Sequence, residues 1–322
     1  MSSDGSGDKK EKKKLSPGMQ FLRDAGVALI FVATLLLAMY AYTGLWPPLV
    51  VVESSSMMHT EDNTSQIGVI DTGDLVLVKD IDSSGDIVTY LQGVHTDYST
   101  YGDYGDVIIY KINGDDSRTP IIHRAMAYLE LNPGGASYTC EALQYLERGP
   151  NGKWDTADSG DEWDSLTSTL YIYRVGYKHE TVTIRIDRIS NSDDRNGFVT
   201  KGDHNDDVDL FRLVSGPIPV SWVVGEARGE LPWFGLLKLW ASGGAVDAPP
   251  NSVRDLWIAM ALIVVTPIAL DVVLTFRIRR RIARKREAAI QQHEEAIRQE
   301  QPPADEKNLP GGPPPRTPPG QV

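Results

Sequence analysis

The chain has 322 residues, 41% hydrophobic and 24% charged, and its 32 Lys plus Arg against 44 Asp plus Glu leave a net charge of −12. That balance excludes wholesale disorder, and the acidic total argues against nucleic acid as a partner, since phosphate binding needs clustered positive charge. A single cysteine, Cys140, excludes an internal disulfide and a thiolate metal cage.

Residues 1–24 form a basic N-terminus with 6 basic and 4 acidic groups, and residues 25–52 carry no acid or base at all. The stretch 25–46 therefore reads as a first transmembrane helix, because about 20 apolar residues at ~1.5 Å each cover the ~30 Å hydrocarbon layer. Its apolar run is longer than a cleaved signal peptide's, and no clear A-x-A site follows it. Residues 47–255 read as a mainly β outer domain. Leu75-Val76-Leu77-Val78 and Val107-Ile108-Ile109-Tyr110 are buried-strand runs, and 181–186 alternates as a half-exposed strand does. Gly73-Asp74, Gly105-Asp106 and Asn113-Gly114 supply turns beside them. The polar stretch 132–168, acidic over 155–164, reads as an insertion looping through solvent.

A second transmembrane helix is expected at 256–276, interrupted only by Pro267, which a membrane helix can carry, and by Asp271 near its end. Residues 277–322 follow as a basic helix over 279–299 and a Pro-rich disordered tail. The two tails sum to +6 and the region between them to −18. By the positive-inside tendency both termini are cytoplasmic and the large loop is extracytoplasmic, which makes this a multi-pass protein of the cell membrane, in contact with lipid. The surplus of acid outside the membrane fits adaptation to strong salt.

Three clusters can carry chemistry. They are Ser54-Ser55-Ser56 just after the first span, His123 behind two strand-forming isoleucines, and the acidic turn 203–209. The turn is not an EF-hand, since counting from Asp203 the sixth and twelfth places hold Val208 and Val214. No H-E-x-x-H or C-x-x-C set is present, so neither a metal nor a cofactor is expected. A serine, a base that takes its proton and a carboxylate that orients the base are the parts of a nucleophilic site.

These residues resemble a family. Ser54-Ser55-Ser56-Met57 resembles the S-x-S-M box of type I signal peptidases, and Gly105-Asp106-Val107-Ile108-Ile109-Tyr110 their G-D-I-V-V-Y strand. Ile121-Ile122-His123-Arg124 is similar to their I-V-H-R-V box, and Thr200-Lys201-Gly202-Asp203-His204-Asn205 followed by Asp209 to their T-K-G-D-N-N…D box. The likeness covers about residues 25–240. Histidine in place of a lysine base is the archaeal and endoplasmic-reticulum pattern. Departures are Ser55 for a common glycine, His59 for a common proline, Thr72 for the arginine before Gly73-Asp74, and a longer stretch between His123 and Asp203.

The resemblance implies a signal-peptidase-like β fold and a serine endopeptidase that removes signal peptides from secretory preproteins, beside the translocation machinery. It implies Ser56 as nucleophile, His123 as general base and Asp209 as orienting acid, with Asp203 as the alternative. The Ser56 N–H and the Ser54 hydroxyl would meet the oxyanion. The rival readings are an inactive, membrane-anchored protein of the same fold that binds signal segments, and a serine peptidase for pilin-like or surface-layer proteins.

Overall fold

The structure, a computed structural model, describes residues 16–135, 137–190, 193, 195–243 and 247–300. The basic run at 9–14 and the Pro-rich tail lie outside the described residues. Helix α1 (Pro17–Thr43) begins where the Ser16 hydroxyl accepts the Met19 N–H and Pro17 pre-sets the first turn. It ends at Gly44, whose φ of 71° suits a residue without a side chain and whose N–H donates to the Tyr40 carbonyl. The helix starts before the expected 25 because Arg23 and Asp24 interrupt the apolar run without interrupting the backbone.

The strands are β1 (Leu49–Val51), β2 (Leu75–Lys79), β3 (Ser99–Thr100), β4 (Asp103–Tyr104), β5 (Val107–Tyr110) and β6 (Ile121–Leu131). They continue as β7 (Tyr138–Thr139), β8 (Trp154–Thr156), β9 (Thr169–Val175), β10 (Glu180–Arg185), β11 (Gly197–Lys201) and β12 (Val223–Leu231). Helices α2 (Tyr90–Thr96) and α3 (Gly235–Ala241) are short, and α4 (Pro250–Glu300) runs on through Pro267. Helices α1 and α4 are each long and apolar enough to cross a membrane. From Ile258 onward α4 belongs to a unit separate from the one that ends at Trp257.

The main sheet has the order β1-β2-β12-β5-β6-β11, with β7 on β6, and its neighbours pair antiparallel. Every residue of β5 is buried, as a strand covered on both faces must be. Val107 and Ile109 pack with Val52, Met57 and Val76, while Ile108 and Tyr110 pack with Ala125, Phe198 and Ile218. This alternation places β6, and with it His123, deep in the molecule beside β5 and β11.

The stretch expected to loop through solvent is instead packed. Strands β10-β9-β8 form a second sheet, and Tyr138, Cys140, Leu143, Trp154 and Leu166 are buried with Met126, Ala127 and Leu129 of β6. Its acids sit at the turns between these apolar residues, which obscures the core pattern. Trp154 also donates its indole N–H to the Leu146 carbonyl at 3.1 Å. Trp154→Ala should therefore destabilise the chain by about 3–5 kcal/mol, read as a shift in the denaturant midpoint of the detergent-solubilised protein.

Three carboxyls meet where the loop before β2 approaches the end of β12. Asp71 accepts the Gln66 N–H, Asp74 the N–H groups of Asp71 and Trp233, and Glu230 the Gly68 N–H. Burial pushes Asp71 up to about 7, Asp74 to about 6 and Glu230 to about 7, and repulsion from the other two adds to the effect at Asp71. In the unfolded chain such acids ionise near ~4, so between about pH 4 and 7 the folded state binds more protons and loses stability as pH rises. Glu230→Gln cannot ionise. Its stability relative to the unsubstituted protein should rise from pH 5 to pH 8 in urea titrations.

Candidate active site

Ser56 follows β1 by five residues, in a turn closed by the Met58 N–H on the Ser55 carbonyl. Met57 and Met58 are buried and pin that turn, which leaves Ser56 half-buried at the wall of a groove. The groove, about 360 Å³, is lined among others by Val51, Val52, Ser54, Ile122 and His123, with the charged groups of Glu53 and Arg212. Among the described residues the Ser56 N–H donates to no protein acceptor. The Ser54 hydroxyl lies 3.1 Å from that of Ser56.

His123 is 3% exposed, and register pairing sets it opposite Ile108 of β5. Its Nε2 lies 3.0 Å from Ser56 Oγ and its Nδ1 2.6 Å from Asp209 Oδ2. An ionised carboxylate can only accept, so Nδ1 carries the proton and Nε2 is left to accept the serine O–H. Asp209 lies beyond β11, and its N–H returns to the Thr200 carbonyl at 2.8 Å. Its Oδ2 also accepts the hydroxyls of Thr200 at 2.6 Å and Tyr110 at 2.9 Å. Burial, reinforced by the Asp209 charge, pushes the Tyr110 phenol far up, so it remains a donor. Three donors on one oxygen hold the carboxylate in one orientation.

Asp203 stands elsewhere. Arg124 Nε donates to its Oδ1 at 2.9 Å, Nη2 to its Oδ2 at 2.6 Å, and His59 Nε2 lies 2.8 Å from Oδ2. Burial opposes ionisation of Asp203, but Arg124 and His59 outweigh it and hold the carboxyl at about 2. The structure thus brings Ser56, His123, Asp209 and Ser54 together, while Asp203 fastens its loop to β6 through Arg124. That loop also holds the Ser56 backbone, since the His204 N–H donates to the Ser56 carbonyl at 2.9 Å. Gly202 makes the approach possible: a Cβ there would fall 2.6 Å from the Ser56 carbonyl oxygen and 2.8 Å from His123 Nε2.

The sequence reading assigned no role to Thr200, Tyr110, Arg124 or His59. The first three lie inside the motif segments quoted above, which was the available signal; His59 stood out only as a departure from the family pattern. Among the described residues no group of three or more His, Cys, Asp or Glu side chains is arranged to hold a metal ion. No family model matches the chain, and no curated protein matches it.

Chemically, a hydroxyl, an imidazole and a fixed carboxylate in line can generate an alkoxide-like nucleophile and hand its proton to a leaving group. The two aspartates should separate by substitution. Asp203→Asn leaves the Arg124 charge buried without its counter-ion and should cost about 3–5 kcal/mol of stability. Asp209→Asn keeps an oxygen for Tyr110 and Thr200 and should cost less, as denaturant titration of both variants at pH 7 would show.

Proposed function

We propose that this protein is a membrane-anchored serine endopeptidase, with a signal-peptidase-like outer domain, that removes N-terminal signal peptides from exported precursors. The observation that carries the reading is the hydrogen-bonded line from Ser56 through His123 to Asp209, at 3.0 and 2.6 Å. The motif resemblance supplies the substrate class. Two apolar helices flanking the β domain support anchoring, and only ten residues separate Trp46 from Ser56, at most ~33 Å of extended chain. In this reading both termini are cytoplasmic and the β domain faces the side to which precursors are exported.

The precursor binds extended along the groove beside Val51 and Val52, its hydrophobic segment held in the same bilayer. Ser56 Oγ attacks the scissile carbonyl as His123 Nε2 takes its proton, and Asp209 stabilises the imidazolium that forms. The Ser56 N–H, with the Ser54 hydroxyl beside it, receives the oxyanion. His123 then gives the proton to the leaving amine, and a water activated by the same imidazole hydrolyses the acyl-enzyme.

Purified protein in liposomes, mixed with a radiolabelled secretory precursor, tests this directly. The unsubstituted chain should release the mature product, and Ser56→Ala or His123→Ala should slow it by on the order of 10⁶-fold, as loss of a member of such a set does. Processing by Ser56→Ala at the unsubstituted rate would refute the assignment. Binding of the precursor without any product would favour the adaptor reading.

A further inference from the structure

The turn between β9 and β10 reaches away from its own sheet and onto the candidate site. Its Tyr177 ring stacks on His59, with centroids 5.0 Å apart and planes 22° apart, and on His204 at 6.5 Å and 20°. The Tyr177 hydroxyl lies 2.9 Å from His204 Nδ1. Lys178 Nζ donates to the His204 carbonyl at 2.7 Å. At the start of β10, Glu180 lies 2.7 Å from Lys201 Nζ, which itself donates to the Gly202 carbonyl at 3.1 Å. Three residues of one hairpin thus converge on the 201–204 segment.

That segment is the one whose His204 N–H holds the Ser56 carbonyl and whose Gly202 lies against His123. None of the hairpin residues lines the groove or touches the reacting atoms. We propose that the β9–β10 tip is a positioning clamp, in which Tyr177 and Lys178 fix the 202–205 loop and so set the distance between Ser56 Oγ and His123 Nε2. This deepens the peptidase reading and rests on it.

Physical magnitudes assign the parts. Lys178 also pairs with Glu61 at 3.5 Å and Asp206 at 3.4 Å, but those carboxylates are largely exposed, and such pairs contribute little. The ring stack and the two part-buried hydrogen bonds to His204 are the stiffer contacts. Proton transfer between Ser56 and His123 is sensitive to their spacing, and a shift of about 1 Å can cost on the order of 10²-fold in rate. A loosened loop therefore lowers turnover, and of the groove lining it carries only Asn205, while the walls at 51–57, 119–123 and 212–213 stay in place.

The test is steady-state cleavage of a precursor by the full chain in liposomes, with labelling of Ser56 by a fluorophosphonate as a second readout. Tyr177→Ala should lower kcat roughly 10- to 100-fold, leave KM within about two-fold, and slow labelling in parallel. Tyr177→Phe keeps the stack and should recover most of the loss, and Lys178→Met added to it should lower kcat again. Unchanged kcat in Tyr177→Ala, or a rise in KM alone, overturns the clamp. If Tyr177→Ala does not fold, an unimpaired Tyr177→Phe/Lys178→Met double variant overturns it. An unsubstituted chain that leaves the precursor uncut sinks the peptidase reading and the clamp with it; a cutting chain with an indifferent Tyr177→Ala sinks the clamp alone.

Discussion

Arg124 carries a permanent charge at a point where 1% of its surface meets water. An ion survives such burial only when its donors find acceptors. Here Nε and Nη2 fork onto Asp203, and Nη1 meets the carbonyls of Thr100 and Gly105. Arg124 follows His123 in β6, so the fork presses the 202–205 loop against the strand that presents the imidazole. The same loop grips the Ser56 carbonyl, and the chain leaves it toward Asp209. One desolvated ion pair thereby organises segments that lie 67 and 86 residues apart along the chain.

The Asp209 carboxylate shows how unevenly such a site is satisfied. Oδ2 collects Tyr110, Thr200 and His123, while Oδ1 is buried with no hydrogen-bond partner among the described residues. An arrangement tuned for stability alone would share donors between the two oxygens. Concentrating them on one oxygen fixes where the negative charge sits relative to Nδ1, as the imidazolium of the proposed reaction would require. The cost is carried by the surrounding sheet, in which β5 is buried throughout and β6 is buried from His123 to Ala127.

Much of this was legible from residue order. The runs at 75–78 and 107–110 lie wholly in strands, and that at 181–186 does so as far as Arg185, because short β-branched stretches next to glycine turns have few alternatives. The two apolar helices were readable from length and composition. The Ser-Pro pair at 16–17 was an available cap signal for α1, but the charge break at Arg23-Asp24 drew the expected boundary inward. The serine, histidine and aspartates stood out because their motifs sit in order. Which aspartate approaches His123 was open, since both lie in one turn and only the fold shows Arg124 and His59 on the first of them. The packed nature of 132–168 was hidden because Cys140, Leu143, Trp154 and Leu166 follow no period. The contact of Tyr177 with His59 and His204 was illegible, for nothing local marks residues that meet only through the placement of a second sheet.

Gly202 leaves this architecture with an unusual vulnerability. In the peptidase reading proposed above, every reacting atom could be present around an intact core, and one methyl group at that position would still press on the Ser56 carbonyl and on His123 Nε2. Chemical competence and geometric competence are thus encoded at different residues. Drift at the silent one would displace that geometry, although an inventory of reactive groups would record no change.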